Sequence, residues 1–198
     1  MKLSKRCFDL SSTIIGLLII WPILFIVAIS IMLDDRGPVF FRQERVGLNG
    51  KLFRMWKFRT MIVDAEKVGK QITVGRDPRI TRVGHILRMC KLDEFPQLFN
   101  VVLGEMSLVG PRPEVPYYVN MYTEEQRKVL ELMPGITDLA SIKYKDESDV
   151  LAASNDPELT YTNEIMPEKI RINLEYGKHA SVIKDFSVII NTLLKIVR

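Results

Sequence analysis

The feature that most constrains this chain is a stretch of 24 uncharged residues near its N-terminus, between Asp9 and Asp34. Most of the side chains from residue 14 to residue 33 are Ile, Leu, Val, Phe or Trp. A helix of this length would extend roughly 36 Å, which is enough to cross a hydrocarbon core of about 30 Å. The stretch is also long for the apolar region of a cleaved signal peptide. We therefore expect a retained membrane segment.

Basic residues flank this stretch on both sides. Lys5 and Arg6 precede it, and seven Lys or Arg residues lie between positions 36 and 59. By the positive-inside rule, both flanks are expected on the cytoplasmic side. Pro22 removes a backbone hydrogen bond near the middle of the stretch and bends the helix. The sequence predicts a re-entrant membrane helix hairpin over residues 1–36 that enters and leaves by one face. A kinked ordinary span with its N-terminus outside is the alternative.

The charge of the chain is unevenly distributed. All 198 residues together carry +4, but residues 34–112 contain 15 basic and 9 acidic side chains, a net +6. Residues 113–198 contain 10 basic and 14 acidic side chains, a net −4. A single-stranded nucleic-acid binder would need aromatic side chains between the charges, which only Phe53, Trp56 and Phe58 supply. We expect membrane lipid, and no nucleic acid, as a partner of the basic region.

Residues 37–198 read as a compact cytoplasmic domain of the α+β class, predominantly helical. Two short runs, 39–43 and 52–59, are separated by the turn residues 47–51 and predict a small β-hairpin with a basic face. Thr123 and Gln126 form a capping box at the start of a helix. Helices are predicted at 61–71, 86–89, 95–103 and 123–133, and loops at 77–84, with outward-pointing arginines, and at 110–113, which two prolines make rigid.

The last segment has an apolar stripe at helical spacing. Its apolar positions are 182, 183, 186, 189, 190, 193, 194 and 197. Lys184, Asp185, Asn191 and Lys195 lie on the opposite face of the predicted helix. The stripe fits either packing against the core or contact with the membrane surface as an interfacial amphipathic helix.

Two adjacent carboxylates, Asp93 and Glu94, precede Pro96, which favours the first turn of a helix. The helix N-terminus, with Arg88 and Lys91 nearby, is expected to favour their ionised forms. An ionised carboxylate in such a place can act as a nucleophile or as a ligand of a hard metal ion. A simple N-cap role for Asp93 is the alternative.

Arg112 stands between Pro111 and Pro113, so its backbone has little freedom and its guanidinium is suited to bidentate phosphate contact. An internal ion pair with Glu105 is the alternative. A wider set of basic side chains fits a diphosphate site or a face attracted to anionic lipid: Lys57, Arg59, Arg79, Arg82, Arg88 and Arg112.

Taken together, five ordered motifs between residue 5 and about residue 137 resemble the bacterial sugar transferases called monotopic phosphoglycosyl transferases, in their minimal catalytic-domain form. The motifs are Lys5-Arg6-x-x-Asp9 before the helix with Pro22, Lys57 to Met61, Arg88 followed by Leu92 to Asn100, Met106 to Pro113, and Pro134 to Thr137.

The resemblance implies that residues 37–198 are a catalytic domain at the cytoplasmic face of the bacterial inner (plasma) membrane. Such an enzyme moves a phospho-sugar from a UDP-sugar to polyprenyl (undecaprenyl) phosphate and releases UMP. This reaction is the first membrane step of a surface glycan or glycoprotein pathway. The resemblance also implies Mg²⁺ as cofactor. A catalytically silent membrane-surface adaptor is the alternative function.

The resemblance further assigns roles to individual residues. Asp93 would attack the phosphate that bears the sugar and form a covalent intermediate, and Glu94 would assist by positioning the metal or handling the acceptor's proton. Asp93 and Glu94 are the expected Mg²⁺ ligands. The expected phosphate-binding residues are Arg88 and Arg112, with Lys57 and Arg59 as weaker candidates, and the expected membrane-anchoring residues are Lys5, Arg6, Asp9 and Pro22.

Two positions depart from the family's common pattern. Trp21 stands before Pro22 where a serine is common, and Asp138 follows Thr137 where a glycine is common. The segment from Ala140 to Glu147 resembles only some members, and it is a candidate for contact with the sugar or the base. The sequence leaves the identity of the sugar, the pathway and homo-oligomer formation open.

Overall fold

A computed structural model describes residues 3–65 and 77–197 of the protein. The described chain is mostly helical and contains two small two-stranded sheets, which confirms the predicted helical class with a small hairpin. The helices are α1 (Leu3–Asp35), α2 (Arg82–Met89), α3 (Gln97–Leu103), α4 (Pro116–Val119), α5 (Glu124–Arg127), α6 (Leu139–Lys143), α7 (Glu147–Ala152), α8 (Pro157–Thr160), α9 (Met166–Lys178) and α10 (Val182–Val197). The strands are β1 (Phe40–Val46), β2 (Leu52–Phe58), β3 (Ser107–Val109) and β4 (Gly135–Thr137), and shorter turns of 3₁₀ or π type lie at Leu48–Gly50, Leu92–Glu94, Lys128–Glu131 and Tyr161–Ile165.

Helix α1 contains the apolar stretch and runs for 33 residues, with Pro22 inside it. It is long and apolar enough to cross a membrane. Many of its apolar side chains face away from the protein, among them Leu18 at 69% and Ile19 at 70% exposure. The predicted long apolar helix is thus confirmed, whereas its re-entrant path through a bilayer stays a prediction.

The N-terminal end of α1 is fastened to the domain by polar contacts. The Lys5 ammonium donates to the backbone oxygen of Val109 at 3.0 Å and pairs with Asp185 on α10. The Arg6 guanidinium donates to the carbonyl oxygen of Val101 at 2.6 Å. Asp9 is fully buried and accepts a hydrogen bond from the Ser107 hydroxyl at 2.8 Å. Lys5, Arg6 and Asp9 therefore contact the protein, and the predicted role of these residues and Pro22 in membrane anchoring stays a prediction.

The C-terminal end of α1 is fastened to the same domain. Asp35 makes a bidentate ion pair with Arg59, which follows β2. Asp34 accepts a hydrogen bond from the first turn of α2, at the backbone nitrogen of Val83 (3.1 Å). Val27 and Ile31 are buried in an apolar cluster with Phe58 and Leu87. Both ends of one helix therefore contact one folded domain.

Strands β1 and β2 form the predicted antiparallel hairpin, with Phe40 opposite Phe58 and Val46 opposite Leu52. The buried Asn100 side chain on α3 holds the hairpin in place. Its oxygen accepts from the backbone nitrogen of Trp56 at 2.9 Å, and its nitrogen donates to the carbonyl oxygen of Arg54 at 3.0 Å. This side chain thereby fixes the hairpin against the helix that follows the two adjacent carboxylates.

Strands β3 and β4 pair in parallel at the point where two glycines meet. A Cβ atom on Gly110 would lie 2.1 Å from the carbonyl oxygen of Met133, and one on Gly135 would lie 2.1 Å from the nitrogen of Gly110. A side chain on either glycine would force these backbones apart. The loop that begins at Gly110 and carries Arg112 is therefore held at a fixed distance from β4.

The C-terminal helices pack around one apolar cluster, and the last of them, α10, contacts α1. Residues from α4, α7 and α9 form this cluster, and α10 packs separately through Val188 against Val109 and Tyr176. Helix α10 is present as predicted, and its outer face leaves Ile183 (84%) and Phe186 (57%) exposed.

Some local predictions were wrong. Asp185 does not lie on a solvent face; it is fully buried and paired with Lys5 and Tyr176. The expected loop over 77–84 ends early, because the Thr81 side chain caps α2 by accepting from the nitrogen of Gly84 at 3.0 Å. The capping box of Thr123 and Gln126 is confirmed, but regular α-helix continues only to Arg127 before a 3₁₀ turn. Most of the helix predicted at 61–71 lies outside the described residues.

Candidate active site

The two adjacent carboxylates lie in a tight corner between α2 and α3. Lys91 adopts the left-handed backbone conformation, with φ of 55°, and reverses the chain after α2. Asp93 and Glu94 follow in a 3₁₀ turn, and α3 begins at Gln97. A non-glycine residue in this conformation is uncommon and is often found where a functional side chain must be aimed.

Asp93 points inward and is only 8% exposed. Its Oδ1 atom is buried and has no hydrogen-bond partner among the described residues 3–65 and 77–197. Neither the 3₁₀ turn nor α3 has a side-chain cap, so the N-cap role considered for Asp93 is not seen. A buried carboxylate oxygen without a partner is costly, and such groups are a mark of functional sites.

Glu94 is held by two cations from distant parts of the chain. Arg112 approaches it in a bidentate manner, with Nη1 2.9 Å from Oε2 and Nη2 bonded to Oε1. Lys57 on β2 lies with its Nζ atom 3.3 Å from Oε1. Arg112 therefore pairs with Glu94 and not with Glu105, whose carboxylate accepts from Asn100 at 2.7 Å.

The two neighbouring carboxylates have opposite electrostatic environments. Burial raises the pKa of Asp93, and the adjacent charge of Glu94 raises it further. Burial also acts to raise the pKa of Glu94, but the charges of Arg112 and Lys57 prevail and hold it well below its usual range. Burial lowers the pKa of Lys57 to about 8. Burial therefore opposes the ionised form of Asp93, which the helix N-terminus and the nearby cations are expected to favour, whereas the cations prevail at Glu94.

The other predicted phosphate ligands are placed differently from one another. Arg88, in the last turn of α2, donates from Nε to the Thr60 hydroxyl at 2.9 Å, and its charge acts on Asp93. Arg59 is turned toward α1 by its pair with Asp35 and is 6% exposed. The structure therefore brings Lys57, Arg88 and Arg112 around the carboxylates but does not bring Arg59 to them. Arg79 pairs with Asp77, so it too is engaged.

An apolar groove of about 650 Å³ lies between α1 and the rest of the protein. Its wall opposite α1 includes Pro96, which is three residues after Asp93 in the sequence, and Phe58, which follows Lys57 on β2. Almost all of its surface is apolar. The lining residues are Ile14, Leu17, Leu18, Trp21, Leu24, Phe25, Ala28, Phe40, Phe58, Pro96, Phe99 and Val102.

Sequence reasoning missed two side chains near this site. Gln97, four residues after Asp93, is fully buried, and neither polar atom of its amide has a partner. Arg45 on β1 is largely buried, and its charge acts on both Lys57 and Arg112. A polar residue at the start of an apolar helix was the available signal for Gln97. Nothing local distinguished Arg45 from the other arginines of the hairpin.

Of the two carboxylates expected to bind Mg²⁺, Asp93 is the one whose side-chain oxygen is available to the ion. Mg²⁺ is commonly bound by one or two carboxylates together with substrate phosphates and water. Asp93 has an oxygen without a partner, whereas both oxygens of Glu94 are engaged by cations. Within residues 3–65 and 77–197, no group of three or more His, Cys, Asp or Glu side chains forms a metal cluster.

Comparison with known proteins gives a consistent result. A family model described as bacterial sugar transferase matches residues 1–198. The chain is 37% identical over 203 residues to the UDP-glucose:undecaprenyl-phosphate glucose-1-phosphate transferase of Escherichia coli (strain K12), covering 98% of this chain and 40% of that protein. It is 37% identical over 150 residues to the UDP-N-acetylgalactosamine-undecaprenyl-phosphate N-acetylgalactosaminephosphotransferase of Aeromonas hydrophila, covering 73% and 35%. It is 38% identical over 200 residues to the exopolysaccharide production protein PSS of Rhizobium leguminosarum bv. phaseoli, covering 96% and 93%.

Proposed function

Since this chain belongs to the bacterial sugar transferase family, we propose that it transfers a phospho-sugar from a UDP-sugar to polyprenyl phosphate at a membrane. It spans only two fifths of the Escherichia coli relative, so the activity is proposed for this chain on the evidence of its own site. The relatives' names include both glucose and N-acetylgalactosamine, and the sugar is left open here.

The observation that carries the proposal is the contrast between Asp93 and Glu94. Glu94 is locked to Arg112 and Lys57, whereas Asp93 keeps a buried oxygen without a partner. A desolvated carboxylate with a raised pKa is a stronger nucleophile once it is ionised than a fully paired one. The cations beside it are suited to hold the diphosphate of the donor and to offset the negative charge that develops during phosphoryl transfer.

The proposed reaction has two displacement steps. An oxygen of ionised Asp93 attacks the phosphorus that bears the sugar, a new O–P bond forms, and the bond from that phosphorus to the bridging oxygen breaks. UMP leaves with the electron pair. A phosphate oxygen of polyprenyl phosphate then attacks the same phosphorus, which releases the Asp93 carboxylate and gives polyprenyl diphosphate sugar. One site that works in this way predicts ping-pong kinetics.

The apolar groove supports the lipid nature of the acceptor. Its lining includes Pro96 and Phe58, which are close in sequence to Asp93 and Lys57, and it continues along α1, so a phosphate held at the cations is proposed to direct its hydrocarbon chain into the groove. We also propose that α1 is re-entrant and that the domain lies at the cytoplasmic face. Support comes from the two fastened ends of α1, because a helix crossing to the other side would not keep both ends on one domain. The exposed apolar face of α10 is suited to lie against the same membrane surface.

We propose Mg²⁺ as the cofactor, held by Asp93 together with the donor's phosphates. When bound, the ion would neutralise negative charge on the diphosphate. Glu94 is placed to keep Arg112 and Lys57 oriented toward that diphosphate.

The decisive experiment is UMP release from UDP-sugars by the full chain in membrane vesicles, with and without polyprenyl phosphate. Asp93→Asn is expected to lower turnover by about 10³-fold or more, because an amide is not a nucleophile toward phosphorus. Asp149→Asn, at an exposed position on α7, is the matched control and should retain activity. In a single turnover, labelled phospho-sugar should remain attached to the protein when the acceptor is absent. Full activity of Asp93→Asn, or UMP that appears only with acceptor present, would contradict the proposal.

A further inference from the structure

A second cavity, of about 290 Å³, lies behind the loop that carries Arg112. It shares no lining residue with the apolar groove. Its walls come from β1, from the loop around Arg112 and from the C-terminal helices, including Glu147 on α7 and Lys169 and Asn173 on α9. Arg112 therefore contacts this cavity and at the same time pairs with Glu94 beside Asp93.

The charges in this cavity are already compensated. Arg45 pairs with Glu114, with Nη1 3.2 Å from Oε1, and the Tyr161 hydroxyl donates to the same carboxylate. Lys169 pairs with Glu147, with Nζ 2.8 Å from Oε2. The cavity is suited to a neutral ligand rich in hydrogen-bonding groups.

Asn173 gives this cavity a polar group that no described residue satisfies. Its side chain is 4% exposed, and within residues 3–65 and 77–197 its Oδ1 atom accepts no hydrogen bond. A buried acceptor without a partner is unfavourable, and a ligand that donates a hydrogen bond would complete it. A ligand hydroxyl or amide group would do so.

Two of the three tyrosines that line the cavity are already engaged by neighbouring groups. Bases are commonly held by stacking on aromatic rings. The Tyr118 and Tyr161 rings pack edge to face on each other with centroids 4.9 Å apart, and Lys169 lies over the Tyr161 ring at 5.7 Å. A nucleobase that stacked on these two rings would compete with those contacts, whereas a sugar ring does not need them.

We propose that this cavity holds the sugar ring of the donor and that Asn173, with the Glu147–Lys169 pair, determines which sugar is accepted. The inference rests on the proposed function, because it takes the donor's phosphates to lie at Arg112. A phosphate at Arg112 carries its sugar directly to the cavity that Arg112 lines. The hydroxyl groups of a sugar both donate and accept hydrogen bonds. They therefore suit the Asn173 amide and the Glu147–Lys169 pair better than a charged ligand group does.

The test compares UDP-glucose, UDP-galactose and UDP-N-acetylgalactosamine as donors for the full chain in vesicles. Asn173→Leu and Glu147→Gln are expected to lower kcat/KM for the preferred donor about tenfold each and to reduce its lead over the other donors. The inhibition constant of UMP, which has no sugar on its phosphate, should stay within about twofold. Glu168→Gln is the matched control, because Glu168 neighbours Lys169 on α9 but pairs with Lys143 and Arg171 outside the cavity.

Three results would overturn the inference. Weaker UMP inhibition with unchanged donor preference would place the nucleoside in the cavity. Unchanged kinetics in both variants would leave the cavity outside the donor site, and an equal effect of Glu168→Gln would make the change nonspecific. Asn173→Asp, which preserves shape, replaces Asn173→Leu if thermal unfolding shows that the latter does not fold. If the unaltered chain releases no UMP from any donor, the proposed function fails. Equilibrium dialysis of labelled UDP-sugar and UMP against the same variants then tests the cavity separately.

Discussion

The apolar groove along α1 and the cavity behind Arg112 differ in the side chains that line them. The groove between α1 and the domain is lined almost entirely by apolar side chains. The cavity behind Arg112 is lined by paired charges, by the Asn173 amide and by side chains of the buried apolar cluster. Of the cations around the two carboxylates, Arg112 lines this cavity, and it pairs with Glu94. In the proposed function, this difference means that one substrate is recognised by its hydrocarbon and the other by its hydroxyl groups, while the phosphates of both use the same cations.

The strongest test of this division removes the shared cation. Arg112→Gln is expected to lower kcat/KM for both substrates by about 10²- to 10³-fold, since it removes a preorganised donor at the developing charge. It also leaves Glu94 with Lys57 as its remaining contact among those described for the site. The measurement is steady-state UMP release with each substrate varied in turn. A loss confined to one substrate would show that the groove and the cavity do not share Arg112, and Arg171→Gln on the exposed face of α9 is the matched control.

A smaller effect, confined to one substrate, is expected from the groove. Phe99→Ala removes apolar lining and is expected to raise the KM for polyprenyl phosphate about tenfold. Formation of the covalent phospho-sugar in the absence of acceptor should not change. Leu103→Ala alters an exposed apolar residue on the same helix that does not line the groove, and it should leave both values unchanged. An increase in the KM for the donor would break the assignment of the groove to the lipid.

The smallest effect concerns the pH dependence of the shared cluster. In the proposed reaction Asp93 attacks in its ionised form. Because its pKa is raised, the rate should fall with decreasing pH at values above the ordinary 3.8 of an aspartate. Lys57 loses its charge as pH rises through about 8, and the rate should fall there because Glu94 is then less well neutralised. The expected profile is bell-shaped. Lys57→Arg should move the alkaline limb to higher pH by keeping the charge, and an unchanged alkaline limb would show that another group controls it.

The identities of the candidate reactive residues could be predicted from the sequence more easily than their pKa values and ion-pair partners. The Asp93–Glu94 pair, the rigid loop at Arg112 and the hairpin follow from neighbouring residues, because local spacing and proline geometry determine them. The raised pKa of Asp93 could not be predicted in this way, since it depends on burial by segments far apart in the chain. The same applies to Arg59, whose partner Asp35 lies 24 positions earlier, and to Asp185, whose partner Lys5 lies 180 positions away.

The groove and the cavity could not be predicted from the sequence either, because tertiary contacts between distant segments form both of them. Each is lined by segments that no periodic pattern links, such as Trp21 with Phe99 in the groove and Arg45 with Asn173 in the cavity. Trp21, which departs from the family's common pattern, proves to be a wall of the groove. Asp138, the other departure, caps α6 by accepting from the nitrogen of Ser141 at 2.7 Å.

The contact between Lys5 and Asp185 has a consequence for biosynthesis. The two residues are 180 positions apart, and a ribosome adding about 5–20 residues per second needs roughly ten to forty seconds to cover that distance. During that interval α1 has emerged while the residue that receives its ammonium group has not been made. The contacts of Arg6 with Val101 and of Asp9 with Ser107 become possible earlier in synthesis, so the pair of Lys5 with Asp185 is the last of these contacts to form at the N-terminal end of α1.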